Sequence, residues 1–389
     1  MNPSSEETAG EPIRGLPGQP SASPSEKQVL DALSKVQDPE LGRDVVSLGM
    51  IKDLKIEGGH VSLTLVLTTP ACPLKNEFKR SVEEAVAAIP GVDKVHVELS
   101  AQVSRFGGLP RKEAVPGITH IVAVASGKGG VGKSTVAVNL AAALAQSGAS
   151  TGVLDADIYG PSIPKLMGAT GEHSYMTEQR RLMPVEKDGI KLVSIAFLIE
   201  KDQSPIIWRG PLVSRAVDQM LREADWGELD YLLVDLPPGT GDIPLTLIQS
   251  VPLTGVVIVM TPQEVARRIA VKSLAMFQNL NVPVLGIVEN MSTFICPHCE
   301  KETPIFSRGG GEETSKEMGV AFLGKIPLDP VIVSDGDNGD PTVLSHPASA
   351  VAESFRKVAR AMAGRISVVS VVQRENQASF QAAAEGEVC

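Results

Sequence analysis

Apolar and polar positions follow two different rhythms along this chain. From about residue 118 onward, near-continuous apolar runs of strand length recur at 151–154, 231–234, 255–260 and 284–288, with helical stretches between them. Strands that are apolar on both faces and alternate with helices predict a mostly parallel sheet covered by helices, an α/β class. Ahead of that region the rhythm is mixed. Residues 29–36 have helical spacing, 61–67 alternate like a half-buried strand, 76–89 are helical again, and 95–99 return to a strand. This predicts a small α+β domain over 26–103, joined to the α/β domain at 118–363 by a linker at 104–117 that carries Gly107, Gly108, Pro110, Pro116 and Gly117. Residues 1–25 are rich in Pro, Gly, Ser and Glu and read as a disordered leader. A last helix is expected near 348–363, followed by a polar Ala/Gln/Glu-rich flexible tail over 364–389.

Charge narrows the partners. Lysine and arginine number 36 against 46 aspartates and glutamates, a formal charge of −10 that argues against bulk nucleic-acid binding. No apolar run reaches membrane-spanning length, and the first residues lack the charged-then-apolar pattern of a signal peptide. Membrane is therefore not an expected partner. Four cysteines (Cys72, Cys296, Cys299 and Cys389) are too few for a disulfide scaffold, and a reducing cytoplasm is the expected location.

Candidate chemistry starts at Gly127-Lys128-Gly129-Gly130-Val131-Gly132-Lys133-Ser134-Thr135, between an apolar strand and an apolar helix. Glycines there let backbone N–H groups close around phosphates, and the helix N-terminus adds its positive end. Lys133 fits the lysine that reaches the β/γ-phosphates, and Ser134 fits the hydroxyl on Mg²⁺. Lys128 is an additional lysine. Asp235 ends an apolar strand, where an acid holds Mg²⁺ through water beside a nucleotide. The loop 236–242 that follows can sense a γ-phosphate. Asp155 and Asp157, one residue apart at another strand end, are expected to face the same crevice, and one of them can position the attacking water.

Cys296-Pro297-His298-Cys299 is the remaining motif. Two thiolates at this spacing can grip a metal centre, whereas a closed zinc or Fe–S site needs four ligands. Two copies across a two-fold axis would supply them. A redox pair or two free thiols stay open on spacing alone, and His298 reads as a bystander.

Together these residues resemble the deviant phosphate-loop class of MinD, ParA and the nitrogenase iron protein. Within it they resemble the Mrp/ApbC-type iron–sulfur cluster carrier ATPases, through 154–164, 207–211, 235–242, 288–292, 296–299, 309–312 and 326–329. The resemblance implies a P-loop ATPase that binds ATP and Mg²⁺ and works as a homodimer. Lys128 would reach the partner's nucleotide, Lys133 would hold phosphates in its own subunit, and Asp157 would orient water. Ser134 would ligate Mg²⁺ with Asp235 nearby, and Asn290 would contact adenine. Cys296 and Cys299 from both chains would hold a labile [4Fe–4S] cluster, with apo iron–sulfur proteins and cluster-assembly scaffold proteins as partners. The leading domain resembles the small Fe–S maturation module, through 38–41, 44–49 and 69–74, and Cys72 would correspond to its reactive cysteine. Other readings are a MinD/ParA-like positioning ATPase, which needs a basic amphipathic helix or surface, a zinc-bridged nucleotide switch, and an electron-transfer ATPase with a permanent cluster.

Overall fold

Ser25 opens the first helix with a reciprocal cap. Its hydroxyl accepts from Gln28 N, and Gln28 Oε1 accepts from Ser25 N at 2.8 Å. This computed structural model describes residues 24–38, 41–68, 70, 75–101, 114–198, 210–241, 245, 248, 251–296, 298–299 and 301–386. Cys72, Cys389, residues 207–209, Asp242 and most of the expected linker lie outside them. Its contacts divide into a smaller unit, holding the elements up to residue 99, and a larger one holding those from 118 onward.

The smaller unit comprises α1 (Glu26–Leu33), β1 (Ile51–Glu57), β2 (His60–Leu67), α2 (Lys75–Ala87) and β3 (Lys94–Ala101), with the strands in the order β1-β2-β3. β2 alternates as its sequence predicts, burying Val61, Leu63, Leu65 and Leu67. α2 buries Phe78, Val82 and Val86 at helical spacing. β1 escapes a period-two reading because its register with β2 slips between Lys52 and Lys55, where Asp53 has φ 49°. Asp38 and Asp44 act on backbone. Asp38 Oδ1 accepts from Leu41 N, and Asp44 Oδ1 from Val46 N and Ser47 N. Hydrogen bonds from Ser47 hold the Asp44 carboxyl below its usual range.

The larger unit runs β4 (Ile118–Ala125), α3 (Lys133–Gln146), β5 (Thr151–Asp155), α4 (Ile163–Leu166), β6 (Val185–Lys187), β7 (Ile190–Ser194), α5 (Gly210–Glu223), β8 (Leu229–Asp235), β9 (Gly255–Met260), α6 (Glu264–Asn279), β10 (Val284–Glu289), β11 (Phe294–Ile295), β12 (Glu302–Thr303), α7 (Gly310–Met318), β13 (Phe322–Lys325), α8 (Pro330–Asn338), α9 (Thr342–Ser345) and α10 (Ala350–Gly386). Eight strands form one sheet in the order β13-β10-β9-β4-β8-β5-β7-β6. The pairs are parallel except β6 with β7. Side chains along β4 alternate between two cores. Val122 and Val124 pack with α3 and α10, whereas Ile121, Ala123 and Ala125 pack with α5 and α6. α3 buries Val136 to Leu144 nearly all round, as a helix pressed between a sheet and a second helix must.

The last helix does not stop at 363. α10 continues to Gly386, and Ile366, Ser367 and Ser370 are buried, so the expected flexible tail from 364 begins as core. The apolar stripe of Phe355, Val358, Met362 and Ile366 carries straight past Gly364. The Ala, Gln and Glu that follow, read as fraying, are strong helix formers. Among the described residues no helix is long and apolar enough to cross a membrane. Ile366→Ala should lower unfolding free energy by about 2–4 kcal/mol in urea titrations. Val372→Ala, at a half-exposed position on the same helix, should stay within about 0.5 kcal/mol.

Candidate nucleotide site and cysteine hairpin

Strand register brings the chemistry together. Asp155 at the end of β5 pairs with Asp235 at the end of β8, and Asp235 pairs with Val124 of β4. The loop leaving β4 therefore passes beside both acids, at the carboxyl edge of the sheet where such folds bind ligands. Gly132, at φ 79°, turns the loop into α3, and a side chain there would strike the Asn290 amide.

Asp235 is fully buried and accepts two bonds. Lys133 Nζ lies 2.5 Å from its Oδ1, and Ser134 Oγ donates to Oδ2 at 2.6 Å. Burial raises the Asp235 pKa above the usual carboxylate value, and Lys133 opposes that shift. Ser134 and Asp235 are hard oxygen donors side by side at the phosphate end of the cleft, so the donor set fits Mg²⁺ completed by phosphate oxygens and water.

The two acids expected to share the crevice part company. Asp155 is buried and accepts from Ile163 N at 3.2 Å, Ser194 Oγ at 3.1 Å and Asp157 N at 3.2 Å. It braces the loop rather than lining the cleft. The alternation holds only to the end of β5, after which the chain turns. Burial, with Asp235 adding repulsion, pushes the Asp155 carboxyl up to about 7. Asp157 is half-buried and lines a cavity of about 330 Å³ with Lys128, Gly129, Gly130, Lys133, Ser134 and Thr135. Lys165, Ser162 and Pro238 also line it.

A second cavity of about 200 Å³ adjoins the first and shares Gly132, Thr135, Leu166, Gly336 and Asp337 with it. Its remaining wall is mainly apolar, from Met291, Pro327, Leu328, Ile332 and Val333, with Asn290 and Asp329. A compartment lined by lysines and a glycine loop, joined to an apolar slot, has the form of a nucleotide cleft, with phosphates at one end and a base at the other. Asn290 Nδ2 is engaged by Val131 O at 2.8 Å, so this residue also ties β10 to the phosphate loop. Glu289, Lys165, Asp337 and Gln263 were not evident from spacing. Glu289 is buried with Gly311 N donating to its Oε2 at 2.6 Å, which ties the glycine-rich start of α7 to β10.

The cysteine motif sits at the tip of the β11–β12 hairpin, where Phe294 pairs with Thr303 and Ile295 with Glu302. Cys296 is half-buried, Cys299 and His298 are exposed, and both thiols are free. Backbone hydrogen bonds at His298 and Cys299, with the Cys299 thiol, lower the Cys296 pKa and favour its thiolate. No cluster of three or more His, Cys, Asp or Glu able to hold a metal occurs among the described residues. The hairpin is continuous with the apolar slot. Leu328 N donates to Thr293 O at 2.9 Å, Phe294 bridges to Leu328, and Ser292 N donates to Ile326 O at 3.0 Å.

Residues 117–363 match the family model described as NUBPL iron-transfer P-loop NTPase, and residues 26–99 match that of an iron–sulfur cluster assembly protein. An iron–sulfur cluster carrier protein from Synechocystis is 50% identical over 348 residues, 88% of this chain and 98% of its own length. One from Deinococcus radiodurans is 47% identical over 349 residues, 90% of this chain and 98% of its own. Among solved structures, a nucleotide-binding protein from Archaeoglobus fulgidus in complex with ADP is 40% identical at a TM-score of 0.54, covering 62% of this chain and 93% of that one. The fold and the site define a P-loop NTPase. The chain belongs to the iron-transfer P-loop NTPase family, with an iron–sulfur cluster assembly domain ahead of the NTPase.

Asp155→Asn tests the buried acid pair. The folded protein binds the Asp155 proton more tightly than the unfolded chain, so this group's contribution to stability falls as pH rises from about 4 to about 7. The stability of Asp155→Asn relative to wild type should rise across that window by up to roughly 4 kcal/mol, read from denaturation midpoints at each pH. A constant difference would contradict it.

Proposed function

We propose that this protein is an ATP-dependent carrier of a [4Fe–4S] cluster, which it holds between two copies of itself and passes to apo-proteins. The observation that carries the reading is the two-thiol hairpin built directly onto the wall of a nucleotide cleft. One chain supplies two favourably placed thiols, and a cubane needs four ligands, so a homodimer is the simplest way to close the site. The cluster is cargo, and the exposed tip suits its handover.

ATP is read with its base in the apolar slot and its phosphates against the loop. Lys133 and the backbone N–H groups of Gly129 to Thr135 bind the phosphates, and Asn290 faces the base while bracing Val131. Ser134 and Asp235 would hold Mg²⁺, which would supply charge neutralisation to the phosphates. Asp157, on the open side of the cavity, orients the attacking water. Lys128 reaches across the two-fold axis to the partner's phosphates, so hydrolysis requires the dimer. Slow turnover then acts as a switch. The closed dimer brings the cysteine hairpins together, hydrolysis relaxes it, and cluster and nucleotide affinities are coupled in both directions. The partners are apo iron–sulfur proteins, which receive the cluster, and cluster-assembly scaffold proteins.

Anaerobic reconstitution with iron and sulfide should load about four iron per dimer. Cys296→Ala or Cys299→Ala should abolish loading while leaving nucleotide affinity equal to that of the cluster-free wild type. Uptake of one zinc per dimer with no transferable cluster would replace this reading with a zinc-bridged switch. Lys128→Ala should cut ATP hydrolysis by roughly a hundredfold, as loss of a transition-state cation does, while fluorescent-nucleotide titration shows near-normal binding. Normal hydrolysis in that variant removes the cross-subunit role.

A further inference from the structure

Gln263 precedes α6 at its N-cap position, with extended backbone at φ −62° and ψ 137°. Helix N-caps favour Ser, Thr, Asp or Asn, whose short side chains reach back to the helix. Gln263 makes no such cap, and its side-chain carbonyl instead accepts from Lys128 Nζ at 3.1 Å. The loop is seated against the same helix. A Cβ on Gly127 would come within 2.9 Å of the Ile269 carbonyl carbon and 3.0 Å of its oxygen, so only glycine permits the approach. Ser126 Oγ donates to Lys128 O at 3.0 Å and fixes the loop's direction from its other side. Glu264, the next residue along α6, is engaged by Arg268 at 3.0 Å and Arg267 at 3.5 Å.

We infer that Gln263 is the positioning residue for Lys128, holding its ammonium in the same subunit on a neutral acceptor until a partner's nucleotide takes it. This rests on the cross-subunit role proposed above for Lys128. A neutral amide suits a bond that must be exchanged. It orients an ammonium, yet binds it less strongly than either a carboxylate or a phosphate does. The seating of Gly127 on α6 keeps donor and acceptor at one fixed separation, so the parked orientation is a property of the fold. Lys128 therefore has two addresses, and the chemistry of residue 263 sets the balance between them.

The test uses full-length Gln263→Glu and Gln263→Ala, each alone and combined with Lys128→Ala. ATP hydrolysis per chain is followed against protein concentration, alongside fluorescent-nucleotide binding and thermal midpoints. Gln263→Glu should convert the parked contact into an ion pair and lower turnover by about fivefold, the upper range for a partly exposed pair. It should also shift half-maximal activity to higher protein concentration without changing nucleotide affinity. Gln263→Ala should hydrolyse at or above the wild-type rate. In the Lys128→Ala background neither change should have any further effect, because the coupled residue is gone. Equal behaviour of the Glu and Ala variants overturns the inference, as does the same loss in the Lys128→Ala background or a loss that follows the thermal midpoint. If Lys128→Ala alone hydrolyses normally, the cross-subunit reading fails instead. An impaired Lys128→Ala with indistinguishable Gln263 variants defeats only the role of Gln263.

Discussion

The larger unit is organised around one buried carboxylate. Asp235 takes Lys133 on one oxygen and Ser134 on the other, at the first two residues of α3. A buried charge without such partners costs several kcal/mol, on the order of 3–5 when one partner of a pair is removed. The α3 end of the loop that leaves β4 is therefore held by electrostatics as much as by packing. The parallel register of β4, β8 and β5 makes this arrangement inevitable, because it sets Val124, Asp235 and Asp155 at one level of the sheet. Asp155 shares that level, so Asp235 adds to the rise in its proton affinity that burial begins, while Asp157 does the same to Asp235. The backbone N–H of Ile163 and the hydroxyl of Ser194 offset part of the cost and fasten α4 and β7 to the site.

Several residues of the recognisable motifs do their work on backbone. Asn290 holds Val131 O, Glu289 holds Gly311 N, and Asp38 and Asp44 close turns in the smaller unit. The path from cleft to cysteines is built the same way. Ser292, Thr293 and Phe294 are each bonded to the 326–328 segment, and Leu328 is at once a wall of the apolar slot and a support of the hairpin. The candidate nucleotide cleft and the thiols thus share a wall made of main-chain hydrogen bonds.

Much of the site was legible along the chain because its residues are local to one turn. The spacing from Gly127 to Thr135 specifies a strand–loop–helix junction by itself, and an apolar strand ending in Asp235 needs only its own pattern. The two-thiol tip is likewise complete within four residues. What spacing misjudged were features whose cause is distant. Asp155 and Asp157 separate because Ile163 and Ser194 draw one of them inward. β1 was hidden by a bulge, and the short strands β6 and β13 were masked by their length. α10 outran its apparent end because Ile366 joins a core cluster drawn from distant elements, which no inspection of residues 364–389 reveals.

By itself the sequence determined the phosphate loop, its extra lysine, the acid that ends β8 and the paired thiols, since each is a short-range pattern whose chemistry follows from residue type and backbone geometry. Only the tertiary structure decided which of two neighbouring acids faces the cleft, that Asn290 and Leu328 meet around an apolar slot, and that Lys128 rests on Gln263, 135 residues away. Those outcomes depend on strand order and register. A parallel sheet brings together loops that are far apart in sequence, and no local periodicity records which loops become neighbours.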